Sequence, residues 1–145
     1  MPAAPAIDIP ALQALLHQVV APWVRQIDLR VLEARAGEVA LALPIAAQHV
    51  HGGGVLCGQT MMAAADTAMI LAIVSQTGSF QPMTTVQLQT SFLRPIPGSP
   101  DGNSGEARVV ARVLRLGKSL AFGEIELQDP AGRLAAHSTT TYALL

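Results

Sequence analysis

Cysteine is almost missing from this chain. Cys57 stands alone among 145 residues, so no intramolecular disulfide and no cysteine-rich zinc cage can form, and a reducing cytoplasm is the expected compartment. Charge is scarce as well. Only 13% of residues are charged, against a usual share of about a quarter. Nine Lys and Arg against ten Asp and Glu leave a net charge of -1, which predicts neither a nucleic-acid footprint nor a polybasic membrane surface. Aromatics are few, with three Phe, one Trp and one Tyr. The opening Met-Pro-Ala-Ala-Pro lacks the basic and apolar regions of a secretory signal. The longest helix-like apolar stretch, Met61 to Val74, is interrupted by Asp66 and Thr67 and falls short of the ~20 residues a bilayer span needs.

What is abundant is aliphatic sequence: half of the residues are hydrophobic and mean hydropathy is +0.40. Disorder is excluded, and the length suits one core, so residues 1–145 are expected to form a single domain. So much apolar sequence with so little charge suggests that a partner, a second copy of the chain, covers part of the surface.

Asp8 can cap a helix from about Pro10 to Val20, ended by Pro22, so that residues 1–22 form a helical extension. Val24 to Glu33 and Glu38 to Leu43 read as two strands around Ala36-Gly37. Gly52, Gly53 and Gly54 are expected to turn straight into a helix from about Gly58 to Ser75, stopped near Gly78. That helix is apolar nearly all round, which predicts that other elements wrap it. Strands are expected over Thr84 to Arg94, Glu106 to Leu116, Ser119 to Gln128 and Leu134 to Leu144. Gly117-Lys118 and Asp129 to Gly132 form the turns of a meander, and Pro95 to Gly105 forms an exposed loop. The pattern predicts an α+β fold with an antiparallel sheet curled around one side of a long helix. The helix's other side is then bare, and two units would pair.

Residues 49 to 69 carry the chemistry. Asp66 falls mid-helix among Met62, Ala63, Met69 and Ile70, where an unpaired carboxylate costs several kcal/mol. It either accepts hydrogen bonds from a neighbouring backbone or serves as a nucleophile or general base. The helix start at Gly58 offers unpaired N–H groups and the positive end of the dipole to an oxyanion or phosphate. Gly58 and Asp66 are eight residues apart, ~12 Å along a helix. If both act on one carbonyl, they come from different subunits.

Four blocks, Gly58 to Ala68, Thr84 to Pro95, Leu116 to Glu124 and Gly132 to Tyr142, together resemble the hotdog-fold acyl-CoA thioesterases of the phenylacetate-pathway type over roughly residues 24–145. The resemblance implies hydrolysis of an acyl-CoA thioester by Asp66 acting as nucleophile or general base, with the Gly58 N–H holding the oxyanion. Counting back from Asp66 places Cys57 on the family's His, Gln59 on its second Gly, Gly54 on its earlier Gly and His51 on its Asn. The visible His51-Gly52-Gly53 lies six positions too early for that motif. Thr85 falls where the family places a Ser or Thr that positions the attacking water or the carboxylate. Coenzyme A enters as part of the substrate, with no separate cofactor or metal, and a homodimer or homotetramer is implied.

Five basic residues, Arg94, Arg108, Arg112, Arg115 and Lys118, lie between positions 94 and 118, giving a local balance of +3 that suits the phosphates of coenzyme A. Arg94, Arg115, Gly117 and Lys118, with Gln59 and Cys57, are the candidate substrate-binding residues. Other readings remain open. Cys57 and His51 could form a nucleophilic pair; His49, His51 and Asp66 could bind a metal; His51 and Asp66 could serve a hydratase or dehydratase; and the groove could be a non-catalytic acyl-CoA sensor.

Overall fold

The computed structural model describes residues 7–102 and 104–145; the Met-Pro-Ala-Ala-Pro start lies outside them. Its elements are α1 (Ile9–Val19), α2 (Pro22–Arg25), β1 (Arg30–Arg35), β2 (Glu38–Pro44), α3 (Gly58–Thr77), β3 (Met83–Phe92), β4 (Glu106–Leu116), β5 (Leu120–Gln128) and β6 (Leu134–Leu144). Asp8 caps α1 as its sequence position predicts, its carboxylate accepting from the Ala11 N–H at 2.9 Å. Leu12 and Leu16 then enter the same core as α3.

The stretch Val24 to Glu33 is not one strand. Pro22 starts a second short helix instead of only ending the first, because proline's missing N–H costs nothing at a first helical position. Asp28 turns the chain with a left-handed φ of 64°, and β1 begins only at Arg30. Gly37, at φ +79°, closes the β1–β2 hairpin where Arg35 pairs Glu38.

All six strands form one antiparallel sheet in the order β1-β2-β4-β5-β6-β3. Only β4, β5 and β6 form a meander; β3 joins outside β6 and becomes an edge. In the β4–β5 turn Gly117 donates to the Leu120 carbonyl at 2.8 Å, which makes Lys118 and Ser119 the central residues, one place later than expected. The segment after Pro95 is not wholly exposed. Ile96 is fully buried, and its carbonyl accepts from Leu56 N–H at 2.8 Å, tying the loop to the approach to α3.

Helix α3 runs for 20 residues and carries most of its side chains into the core. By length and composition alone it could cross a membrane, contrary to the shorter apolar stretch read from sequence, but most of it is buried in this chain. Its C-terminus is fixed at both chain and side-chain level. Gly78, left-handed at φ +86°, donates to Val74 O, and the buried Ser75 hydroxyl accepts from Gly37 N–H at 3.1 Å while its proton lies between Ala72 O at 2.7 Å and Arg35 O at 2.9 Å. Ser75 thus ties the helix end to the first hairpin.

The middle of α3 approaches β5 closely at Gly123. A Cβ there would collide with the Met69 side chain and lie 2.7 Å from the Arg112 carbonyl oxygen of β4. Because backbone cannot yield as a side chain can, Gly123→Ala is expected to destabilise the protein by about 1–3 kcal/mol. Urea unfolding monitored by circular dichroism reads this directly; an unchanged midpoint would refute the close contact.

Candidate active site

The residues of α3 that the sheet leaves uncovered form a stripe. Gln59, Met62, Ala63, Asp66 and Ile70 are half-buried or exposed, spaced by three and four as one face of a helix requires. Asp66 is the only charge on it. The carboxylate does not cap a chain end. Its Oδ1 accepts from the Thr85 hydroxyl of β3 at 2.8 Å and from the Tyr142 hydroxyl of β6. Tyr142 also reaches the Asp66 main-chain carbonyl, at 2.8 Å. Oδ2 has no hydrogen-bond partner among the described residues. Since no buried side-chain oxygen among them lacks a partner, Oδ2 lies at the surface of the chain. Burial first, then the Asp66 charge and hydrogen bond, push the Tyr142 phenol far above the ordinary tyrosine range.

At the other end of the stripe, Gly58 is the first residue of α3. Good N-cap side chains accept from the second or third helical N–H, but the residue here is Cys57, which makes no such bond. Its thiol meets the Thr60 hydroxyl at 3.1 Å, and that hydroxyl meets His49 Nδ1 at 3.0 Å. Burial holds His49 below the ordinary histidine range. The Gly58 N–H, at the first helical position, has no acceptor among the described residues. The Phe92 ring of β3 packs so closely that a Cβ on residue 58 would lie 3.1 Å from it. A cavity of about 360 Å³ opens at this point, with His51, Leu56, Gly58, Met61, Phe92 and Arg94 in its wall.

The glycine run does not enter the helix directly. It forms the tip of a small hairpin in which Val50 bridges Leu56, with Gly54 left-handed at φ +81°, and Val55, Leu56 and Cys57 intervene before α3. His51 Nδ1 accepts from the Gly53 N–H at 2.8 Å, which leaves Nε2 as the protonated nitrogen of the neutral ring, a donor beside the cavity. His51 bonds neither Cys57 nor Asp66, so the nucleophilic pair and the histidine–aspartate pair are not assembled. No group of three His, Cys, Asp or Glu among the described residues is placed to hold a metal ion.

The basic residues divide. Arg108 pairs with Glu33 at 3.0 Å, and Arg112 lies between Glu38, Glu124 and Glu126; both are neutralised on the outer sheet face. Arg94 lines the Gly58 cavity. Arg115, Gly117 and Lys118 sit at the far end of β4, beyond Val113, whose N–H binds Gly37 O next to the C-terminal end of α3. One chain does not gather these candidates into one site. Gln59 is exposed beside Gly58. Tyr142 and Phe92 were not among the residues singled out from sequence. The signal for Tyr142 was present, since alternation along β6 turns the one tyrosine inward.

A six-stranded antiparallel sheet packed on one long helix, with this edge strand and helix start, is the hotdog architecture. The chain belongs to the thioesterase superfamily, whose model matches residues 47–136. It is 31% identical over 110 residues to "Putative esterase TV1331" of Thermoplasma volcanium, covering 76% of this chain and 77% of that protein. Among solved structures, conserved protein PA5202 of Pseudomonas aeruginosa is 28% identical with a TM-score of 0.77, covering 89% of this chain and 98% of its own. The thioesterase HI1161 of Haemophilus influenzae shares the fold at a TM-score of 0.83 and 18% identity, covering 100% and 95%.

Proposed function

We propose that the protein hydrolyses an acyl-CoA thioester to a free acid and coenzyme A, at sites shared between two copies of the chain. The observation that carries this reading is Asp66, a lone carboxylate on the open stripe of an apolar helix, with Oδ1 held by two hydroxyls and Oδ2 unengaged. Oδ2 takes a proton from water as the water oxygen bonds to the thioester carbon; the carbonyl oxygen becomes an oxyanion, which a Gly58 N–H stabilises. Collapse breaks the C–S bond, and the departing thiolate recovers the proton. In the covalent variant the same oxygen bonds to the carbon, the C–S bond breaks to release the thiolate, and water then cleaves the anhydride to free acid and the Asp66 carboxylate, the proton it gives up neutralising the thiolate.

Sharing follows from two features. Gly58 and Asp66 are ~12 Å apart on one helix. The open stripe of α3 lies along β3, with Gly58 against Phe92 and Asp66 bonded to Thr85. As a ten-residue sheet edge carrying Val86 at 61% and Phe92 at 49% exposure, β3 invites pairing with another strand. Two-fold pairing of β3 with its copy reverses the strand, bringing the Gly58 end of one protomer beside the Asp66 end of the other. His51 and Arg94 then flank the thioester from the Gly58 side.

The test is free-thiol release from a panel of acyl-CoAs of varied chain, run beside the matching oxygen esters. Release from at least one acyl-CoA is expected. Hydrolysis of oxygen esters alone would overturn the thioester assignment, and tight acyl-CoA binding without turnover would favour a sensor.

A further inference from the structure

We infer that Tyr142 is a positioning residue for Asp66, holding its carboxylate so that Oδ2 alone meets the substrate. The inference rests on the hydrolase reading of Asp66. Register supplies the first argument. Thr85 and Tyr142 are direct partners across the β3–β6 pair, and the ladder slips immediately afterwards, between Thr85 and Gln87. Such a bulge bends the strand and re-aims its side chains. Here the Thr85 and Tyr142 hydroxyls, delivered side by side, both converge on one oxygen, Oδ1.

Burial supplies the second. Tyr142 is 1% exposed, so its phenol cannot exchange this partner for water, and its second acceptor is the main-chain carbonyl of the same Asp66. The one phenol proton thus lies between the carboxylate and the backbone carbonyl of a single residue, with the carboxylate the closer acceptor. A carboxylate rotating about its Cβ–Cγ bond exchanges its two oxygens; with Oδ1 clamped by two donors from two strands, that rotation is opposed. From the elements packed here the carboxylate faces only hydroxyls, Thr85 from β3 and Tyr142 from β6. No described basic side chain lies within ion-pair distance of it. Removing one donor therefore cannot be compensated by a cation in the chain.

Because Tyr142 is the one tyrosine of the sequence, carbon-13 labelling of its ring carbon beside the hydroxyl gives one NMR signal for the phenol, which reports this contact without any need for activity. In Asp66→Asn that phenol signal is expected to shift from its wild-type position, because a neutral amide oxygen replaces the charged acceptor of the hydroxyl. In Tyr142→Phe, which keeps the ring and its packing, kcat on an acyl-CoA is expected to fall about tenfold or more with KM within twofold. An unshifted phenol in Asp66→Asn would overturn the contact. A shifted phenol with wild-type kcat in Tyr142→Phe would overturn the positioning role while leaving the hydrolase reading intact. No thiol release by the wild type would overturn that reading and the positioning role with it, the phenol signal still deciding whether the Tyr142–Asp66 bond exists.

Discussion

Replacing Gly58 by proline is expected to cut turnover by about 100- to 1000-fold with the fold intact. Proline deletes one atom group that matters here, the N–H at the first position of α3. Elsewhere in a helix this would be disruptive, but at that position no intrahelical bond is lost. The preceding residue already suits it. Cys57 is extended, with φ -71° and ψ 148°, the region that a residue before proline prefers. The remaining cost is steric, since a Cβ meets the Phe92 ring at 3.1 Å. Gly58→Ala has the same Cβ and keeps the N–H, so the ratio of the two variants reads the loss of the donor together with the proline Cδ that takes its place. Equal turnover by both would remove the Gly58 N–H from the mechanism.

Asp66→Asn is expected to lower thiol release by several hundred-fold or more, the scale of an essential catalytic group. The amide matches the carboxylate in size, and its oxygen can still accept from Thr85 and Tyr142. Circular dichroism and the thermal midpoint should therefore change little while the basic, nucleophilic oxygen disappears. Turnover equal to that of the wild type would mean that Asp66 only satisfies the two hydroxyls.

The long helix was legible because Gly58 to Ser75 has no proline, is apolar on every side and ends at a glycine, and the ~12 Å between Gly58 and Asp66 followed from helical rise alone. The start of β1 was not. Val24 and Val31 look like strand residues, and a proline reads equally well as a stop or a start; only the left-handed turn at Asp28 separates helix from strand. Nor could local pattern place β3 beyond β6, since that pairing joins residues about fifty positions apart. The partner of inward-facing Tyr142 was hidden for the same reason: the tyrosine reaches Asp66 across 76 residues of sequence, and only the β3–β6 register brings it there. The neutralisation of Arg108 and Arg112 likewise depends on glutamates of neighbouring strands, whereas Arg94, Arg115 and Lys118 have no ion-pair partner among the described residues.

The central claim is that each site takes Asp66 from one protomer and Gly58 from the other. Co-expressing Asp66→Asn and Gly58→Pro chains in equal amounts tests it most directly. Random pairing makes half of the dimers mixed, and in each mixed dimer one site carries both lesions while the other carries neither. Thiol release by the mixture should therefore recover to roughly a quarter of the wild-type rate, though each variant alone is nearly inactive. If both residues instead serve a site within one chain, every site in every dimer holds one lesion, and the mixture should stay as inactive as its parents.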